Sequence, residues 1–125
     1  MRTSVDILGK TVHVSWSSAA DKAMRQLQSP LLVEMELLFS CLIRKRVRFR
    51  TDVDPAKFVY ATPQLKVGFR PVMTKVCLVS DVADGAVPVQ DFPIKKAAAF
   101  VPRQLFVDYR DGQWRGEFQI AAMEN

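Results

Sequence analysis

The segment LLVEMELLFSCLIRKRVRFR, residues 31–50, constrains the fold more than any other part of the chain. Val33, Met35, Leu37, Phe39, Cys41 and Ile43 alternate with Glu34, Glu36 and Ser40. Val47 and Phe49 then alternate with Arg46, Arg48 and Arg50. Successive side chains of a strand point to opposite faces, so this period of two marks strands with one face on a core. A hairpin centred on Ser40 sets Glu36 opposite Arg44 and Glu34 opposite Arg46. It also sets Leu37 opposite Ile43, Val33 opposite Val47 and Leu31 opposite Phe49. Opposite charges and apolar pairs both fall into register, which is how antiparallel pairs are stabilised. A helix is the open alternative, with Ser29-Pro30 as its start, early Glu and late Arg/Lys. It scatters the same charges around its axis, so the hairpin is the favoured reading.

The excess charge lies in the second arm. Five of the eighteen Lys and Arg are Arg44, Lys45, Arg46, Arg48 and Arg50. The remaining thirteen balance thirteen Asp and Glu, so these five account for the net +5. As a strand, the arm projects Arg44, Arg46, Arg48 and Arg50 from one face at intervals of about 6.6 Å. Guanidinium groups in a row suit phosphates. Lys45, Arg46, Arg48 and Arg50 are therefore the candidate nucleic-acid or anion-binding residues. In the hairpin above, Glu36 and Glu34 neutralise Arg44 and Arg46, leaving Lys45, Arg48 and Arg50 for an outside partner. Phe49 falls on the opposite face, so no stacking aromatic accompanies the row. The bland alternative is a solvated sheet face.

The rest of the chain reads mostly as strands. VDILGKTVHVSW predicts a hairpin with Gly9-Lys10 as a two-residue type II′ turn. SSAADKAMRQLQSP predicts an amphipathic helix over 17–28, capped by Ser17 or Ser18, with Ala20, Met24 and Leu27 on its packing face. Asp52–Pro55 reads as a turn and Lys57–Ala61 as a short strand. QLKVGFRP reads as a strand closed by Pro71, and VMTKVCLV as a separate buried strand. Ser80–Pro93 has loop composition, and Ile94–Phe100 suits one or two helical turns. QLFVDYRDGQWRGEFQI is the clearest hairpin. Its Asp111-Gly112 type I′ turn pairs Arg110 with Gln113, Tyr109 with Trp114, Asp108 with Arg115 and Leu105 with Phe118.

A chain of 125 residues is expected to form a single domain, residues 1–125, with an ordinary core. The longest mainly apolar run, 31–43, is too short to span a bilayer and holds two Glu, and the N-terminus lacks the apolar stretch of a signal peptide. A cytoplasmic protein without a membrane association is the expectation. Cys41 and Cys77 are then free thiols rather than a disulfide framework.

No catalytic constellation stands out. His13, the single histidine, faces away from Val12 and Val14, and its solitude removes Ser–His–Asp and Cys–His schemes. The pairs Asp52/Asp54 and Asp81/Asp84 lie in turns or loops, where Asp usually bonds local backbone N–H groups. Phosphate-cradling glycine loops and CxxC metal motifs are missing. A non-enzymatic protein without a cofactor is expected, working through a protein partner or a homo-oligomer, with nucleic acid as the competing partner.

VHVSWSSAADKAMRQL, LLVEMELLFSCLIRKRVRF and VDYRDGQWRGEFQI, in that order, resemble the opening strand and helix, the next two strands and the late hairpin of HesB-like proteins, the A-type iron–sulfur carriers. About half of the chain is covered. The resemblance implies an α+β fold: twisted, mostly antiparallel or mixed sheet with one amphipathic N-terminal helix. It also makes Cys41 the one counterpart of the family's three ligand cysteines, hence the candidate metal residue. The glycine-rich setting of that cysteine is absent, residues 51–100 do not align, and AAMEN stands where the family has its Cys-x-Cys pair. The expected relative is thus one without a cluster, the alternative being a carrier whose ligand set is completed by oligomerisation.

Overall fold

A computed structural model describes residues 1–39, 43–51, 54–74, 89–91 and 97–120. Nine strands and one eight-residue helix make up the architecture among these residues, with 3₁₀ turns at Pro55–Lys57 and Ala97–Phe100. The strands are β1 Arg2–Ile7, β2 Lys10–Trp16, β3 Leu31–Phe39, β4 Arg44–Arg50, β5 Val59–Thr62, β6 Leu65–Thr74, β7 Val89–Asp91, β8 Gln104–Arg110 and β9 Gln113–Gln119. The helix α1 spans Ser18–Arg25. They form two mixed sheets, ordered β1-β2-β8-β9 and β4-β3-β6-β5, with β7 paired to the distal half of β6. Each sheet is two antiparallel pairs joined along a parallel seam, β2 with β8 and β3 with β6.

This corrects the α+β, HesB-like expectation: the protein is predominantly β. A helix needs an apolar stripe sustained over several turns, and among the described residues only Ser18–Arg25 forms an α-helix. In the long strands the apolar residues recur with a period of two, which serves a sheet.

The sheets share one core. Val12, Val14, Leu105, Val107 and Phe118 of the first sheet meet Val33, Met35, Leu37, Leu65 and Val67 of the second. Fully buried side chains of this size contribute about 1.5–3 kcal/mol each relative to exposure. At one side of the sandwich β4 lies beside β9, and at the other β1 lies beside β5.

Turn chemistry departs from expectation once. The first hairpin turns at Leu8-Gly9, not Gly9-Lys10, because Ile7 pairs with Lys10. Both turn residues have positive φ, 52° and 79°, a type I′ geometry. Glycine occupies the second position, and Leu8 accepts the left-handed conformation in the first. The late hairpin has all four predicted pairs and the same turn, Asp111 at 53° and Gly112 at 75°.

The helix begins at the predicted cap and ends early. Ser17 Oγ accepts from Ala20 N at 3.1 Å and donates to Asp108 Oδ1 at 2.6 Å, fastening the helix start to β8. Trp16 Nε1 donates to Asp21 Oδ1 at 3.1 Å, and Arg25 pairs with the same carboxylate. Gln26 N donates to Ala23 O at 3.2 Å, a tightened last turn that closes the helix. Ala20 and Met24 are buried, but Leu27 lies past the end and is exposed rather than on the packing face.

The Ser17 hydrogen bond, then the Tyr109 backbone N–H at 2.8 Å, holds the Asp108 carboxyl below the usual range. A depressed folded value stabilises above the unfolded pKa and loses that contribution as pH falls through the folded one. Ser17→Ala should cost about 1 kcal/mol from the lost cap, at any pH. The lost hydrogen bond to Asp108 adds to this only while the carboxylate is ionised, so the gap to the parent should narrow in acid. Urea midpoints at pH 7 and in acid check this, and a pH-independent gap would assign the effect to the cap alone.

Pro71 does not end its strand. β6 runs through it to Thr74, pairing Leu37 with Pro71 on β3. On the other edge β5 pairs only with Leu65–Val67 and β7 only with Val72–Thr74. Proline thus falls where, among the described residues, no ladder occupies that edge, a position at which a missing N–H is tolerated. The predicted short strand at 57–61 is β5, which starts two residues later and ends one residue later. Residues 89–91 of the predicted loop form β7, and the helical turn predicted over 94–100 is a 3₁₀ turn at its end. Cys77 and most of 75–96 lie outside the described residues.

Candidate nucleic-acid interface

β3 and β4 pair antiparallel as expected, in a register displaced by two residues. Glu36 faces Arg46, Glu34 faces Arg48, Met35 faces Val47 and Val33 faces Phe49. The displacement preserves the parity of both strands, so charges still oppose charges. Odd residues of β3 enter the core, and even residues lie on the outer face.

That outer face gathers charge from three strands. β4 contributes Arg44, Arg46, Arg48 and Arg50, β3 contributes Glu34 and Glu36, and β6 contributes Lys66 and Arg70 opposite Leu32 and Glu36. The cations outnumber the carboxylates, and β4 is an edge strand. Arginines and lysines along an edge also discourage pairing with another sheet.

Both glutamates are buried and paired, but not with the expected partners. Glu36, 1% exposed, receives Arg48 Nε on Oε2 at 3.1 Å, with Arg46 Nη1 3.7 Å from Oε1. The second oxygen has no hydrogen-bond partner, because that distance is too long for one. Glu34 Oε1 receives Arg50 Nη1 at 3.2 Å. Burial pushes the Glu34 carboxyl up, against the pull of Arg50 and Arg70. So Arg48 and Arg50, expected to be available outside, are the residues closest to the buried carboxylates. Arg44, expected on Glu36, faces Leu38 and makes no ion pair among the described residues.

The structure brings Arg46, Arg48 and Arg50 together and separates Lys45 from them. Lys45 lies on the other side of β4, at the rim where Val47 meets Gly116 and Glu117 of β9. Cys41 lies outside the described residues. Among the described residues no His, Cys, Asp or Glu cluster could hold a metal ion. His13 is exposed on the outer face of the first sheet.

Three members of the face were missed in the sequence. Tyr60 is 61% exposed and faces Lys66 across the β5–β6 pair, so it shares the outer face with the arginines. Lys66 Nζ sits 4.3 Å from the Tyr60 ring centroid and donates to Pro55 O at 2.8 Å. Arg70 belongs to the same row of β6. The alternation Lys66-Gly68-Arg70 was visible, but nothing local showed that β6 would lie beside β3. Phe49, in contrast, faces the core side and stacks on Trp114 at 6.0 Å, as its parity required.

Compared with protein-family models, curated proteins and solved structures, the chain matches none of them. No finding links it to the HesB-like proteins, and no helix among the described residues is long and apolar enough to cross a membrane.

Proposed function

We propose that the protein is a non-enzymatic binding module for single-stranded nucleic acid, with the outer face of the β4-β3-β6-β5 sheet as its platform. The observation that carries this reading is the joining of the arginine row to an exposed aromatic on one face. Cations neutralise phosphates, and an exposed ring lets a base stack without sequence preference. With strands about 4.8 Å apart, Tyr60 stands about 14 Å across the sheet from the β4 row. The central residues of the face, Leu32, Glu34, Glu36 and Lys66, are buried, so a bound strand would touch the arginine row at one edge and Tyr60 at the other. The two buried glutamates hold the arginines in place and leave the face positive.

Fluorescence anisotropy with labelled single-stranded oligonucleotides tests the reading. Affinity should fall about fiftyfold between 50 and 200 mM salt if about four phosphates are engaged. Arg44→Ser should reduce the salt slope by about 0.7, and Tyr60→Ala should weaken binding by about 1–3 kcal/mol with little change in slope. Lys22→Ser, on the exposed face of α1, should change neither. Binding that ignores salt, or that Tyr60→Ala leaves intact, would overturn the proposal.

A further inference from the structure

A hollow of about 330 Å³ lies beside the arginine row. Asp54, Lys57 and Phe58 at the 3₁₀ turn form one wall, and the middle of the β3–β6 seam, at Glu34 and Gly68–Arg70, forms the other. Its lining is mixed in charge: Arg50, Lys57 and Arg70 on one count, Glu34 and Asp54 on the other, with Phe58 between. Phe58 is buried because Gly68 makes room for it. A Cβ on Gly68 would come within 3.0 Å of the ring, so the glycine seats the aromatic wall. Asp54 Oδ1 accepts from Ala56 N at 3.0 Å, which fixes the turn that carries Lys57. Lys66 Nζ on Pro55 O anchors the same turn to the sheet.

The geometry points to this hollow as a binding site for a nucleoside monophosphate, its phosphate on the exposed Lys57 with the charges of Arg50 and Arg70 beside it, and its nucleoside in the hollow at the small exposed part of Phe58. The volume sits at the small end of the range for ligand pockets, larger than a bare phosphate requires. The mixed lining discriminates further. A small anion alone would meet the repulsion of Glu34 and Asp54. A ligand with an anionic end and a donor-bearing end satisfies both sets, because ribose hydroxyls and base amino groups donate to carboxylates. Arg50 already holds Glu34 at 3.2 Å, so the guanidinium is oriented before any ligand arrives. Such a ligand could be free, or the terminal nucleotide of a bound strand. The second source rests on the function proposed above.

Calorimetric titration with adenosine 5′-monophosphate and with adenosine tests the site, using parent protein and Lys57→Ser. Lys57 is exposed on a turn, so the variant should fold, and far-ultraviolet circular dichroism checks that it does. The monophosphate should bind at least tenfold more tightly than the nucleoside, and Lys57→Ser should remove most of that difference. Equal binding of the two, or monophosphate binding unaffected by Lys57→Ser, would overturn the inference. Oligonucleotides with a 5′-phosphate or a 5′-hydroxyl identify the source. A phosphate preference lost in Lys57→Ser assigns a strand end, whereas monophosphate binding without that preference assigns a free nucleotide. If the monophosphate binds and no oligonucleotide does, this site stands and the nucleic-acid reading falls.

Discussion

Replacing Arg46 and Arg48 together by alanine should destabilise the protein by about 3–5 kcal/mol, the usual cost of leaving a buried charge without its partner. Glu36 is 1% exposed, while both arginines keep more than a third of their side chains in water. The pair is therefore asymmetric. Remove the arginines and the buried carboxylate loses both cations of its ion pairs, with only Arg70 left opposite it on β6. Remove the carboxylate and the arginines turn to solvent. Glu36→Leu alone should accordingly lie within about 1 kcal/mol of the parent, since buried ion pairs often tolerate apolar replacement. In the Arg46→Ala/Arg48→Ala background, Glu36→Leu should restore most of the lost stability. Urea unfolding midpoints decide it. A double alanine variant near parent stability, or no rescue by leucine, would show that the carboxylate does not depend on these arginines.

This has a practical consequence for binding experiments. Changes at Arg46, Arg48 or Arg50 alter stability as well as surface charge, so weaker nucleic-acid binding in such variants would be ambiguous. Arg44 avoids the problem, being exposed and away from the buried carboxylates; Tyr60 is exposed as well, but its ring lies against the buried Lys66, so Tyr60→Ala is read together with its unfolding midpoint.

Gly116→Ala should destabilise by about 1–3 kcal/mol, the usual range for overpacking. Gly116 is on β9 where the sandwich closes against β4. An added Cβ would lie 2.8 Å from Val47 Cγ1 and 3.3 Å from Phe49 Cζ. Valine is stiff about χ1, and Phe49 is held by its stacking on Trp114, so neither neighbour gives way easily. Combining Gly116→Ala with Val47→Ala should cost less than the sum of the two changes, because the first fills part of the space that the second opens. Simple additivity in denaturation midpoints would place the strain elsewhere.

Local patterns determined much of this protein. Asp111-Gly112 between alternating strands set both turn type and register in the last hairpin, because a two-residue loop leaves no freedom. Ser17 announced the helix start through its acceptor oxygen, and the parity of 31–50 assigned each side chain to a face. Where several local solutions were equivalent, the sequence was silent. Leu8-Gly9 and Gly9-Lys10 both offer a glycine turn. The 31–50 hairpin keeps its faces in either of two registers, and only the observed one sets Glu36 against Arg46 and Glu34 against Arg48.

The tertiary structure alone decided what stands beside what. The α+β expectation failed because a strand-then-helix opening does not specify the packing of later strands, which here close a second sheet over the first. The parallel seams β2–β8 and β3–β6 join residues far apart in the chain. No local propensity encodes such pairings, which depend on burying both sheets in one core. Tyr60, Lys66 and Arg70 reach the face of the arginine row only through the β3–β6 seam. Composition showed that the chain carries excess positive charge. The seam placed an aromatic ring and a mixed-charge hollow beside it.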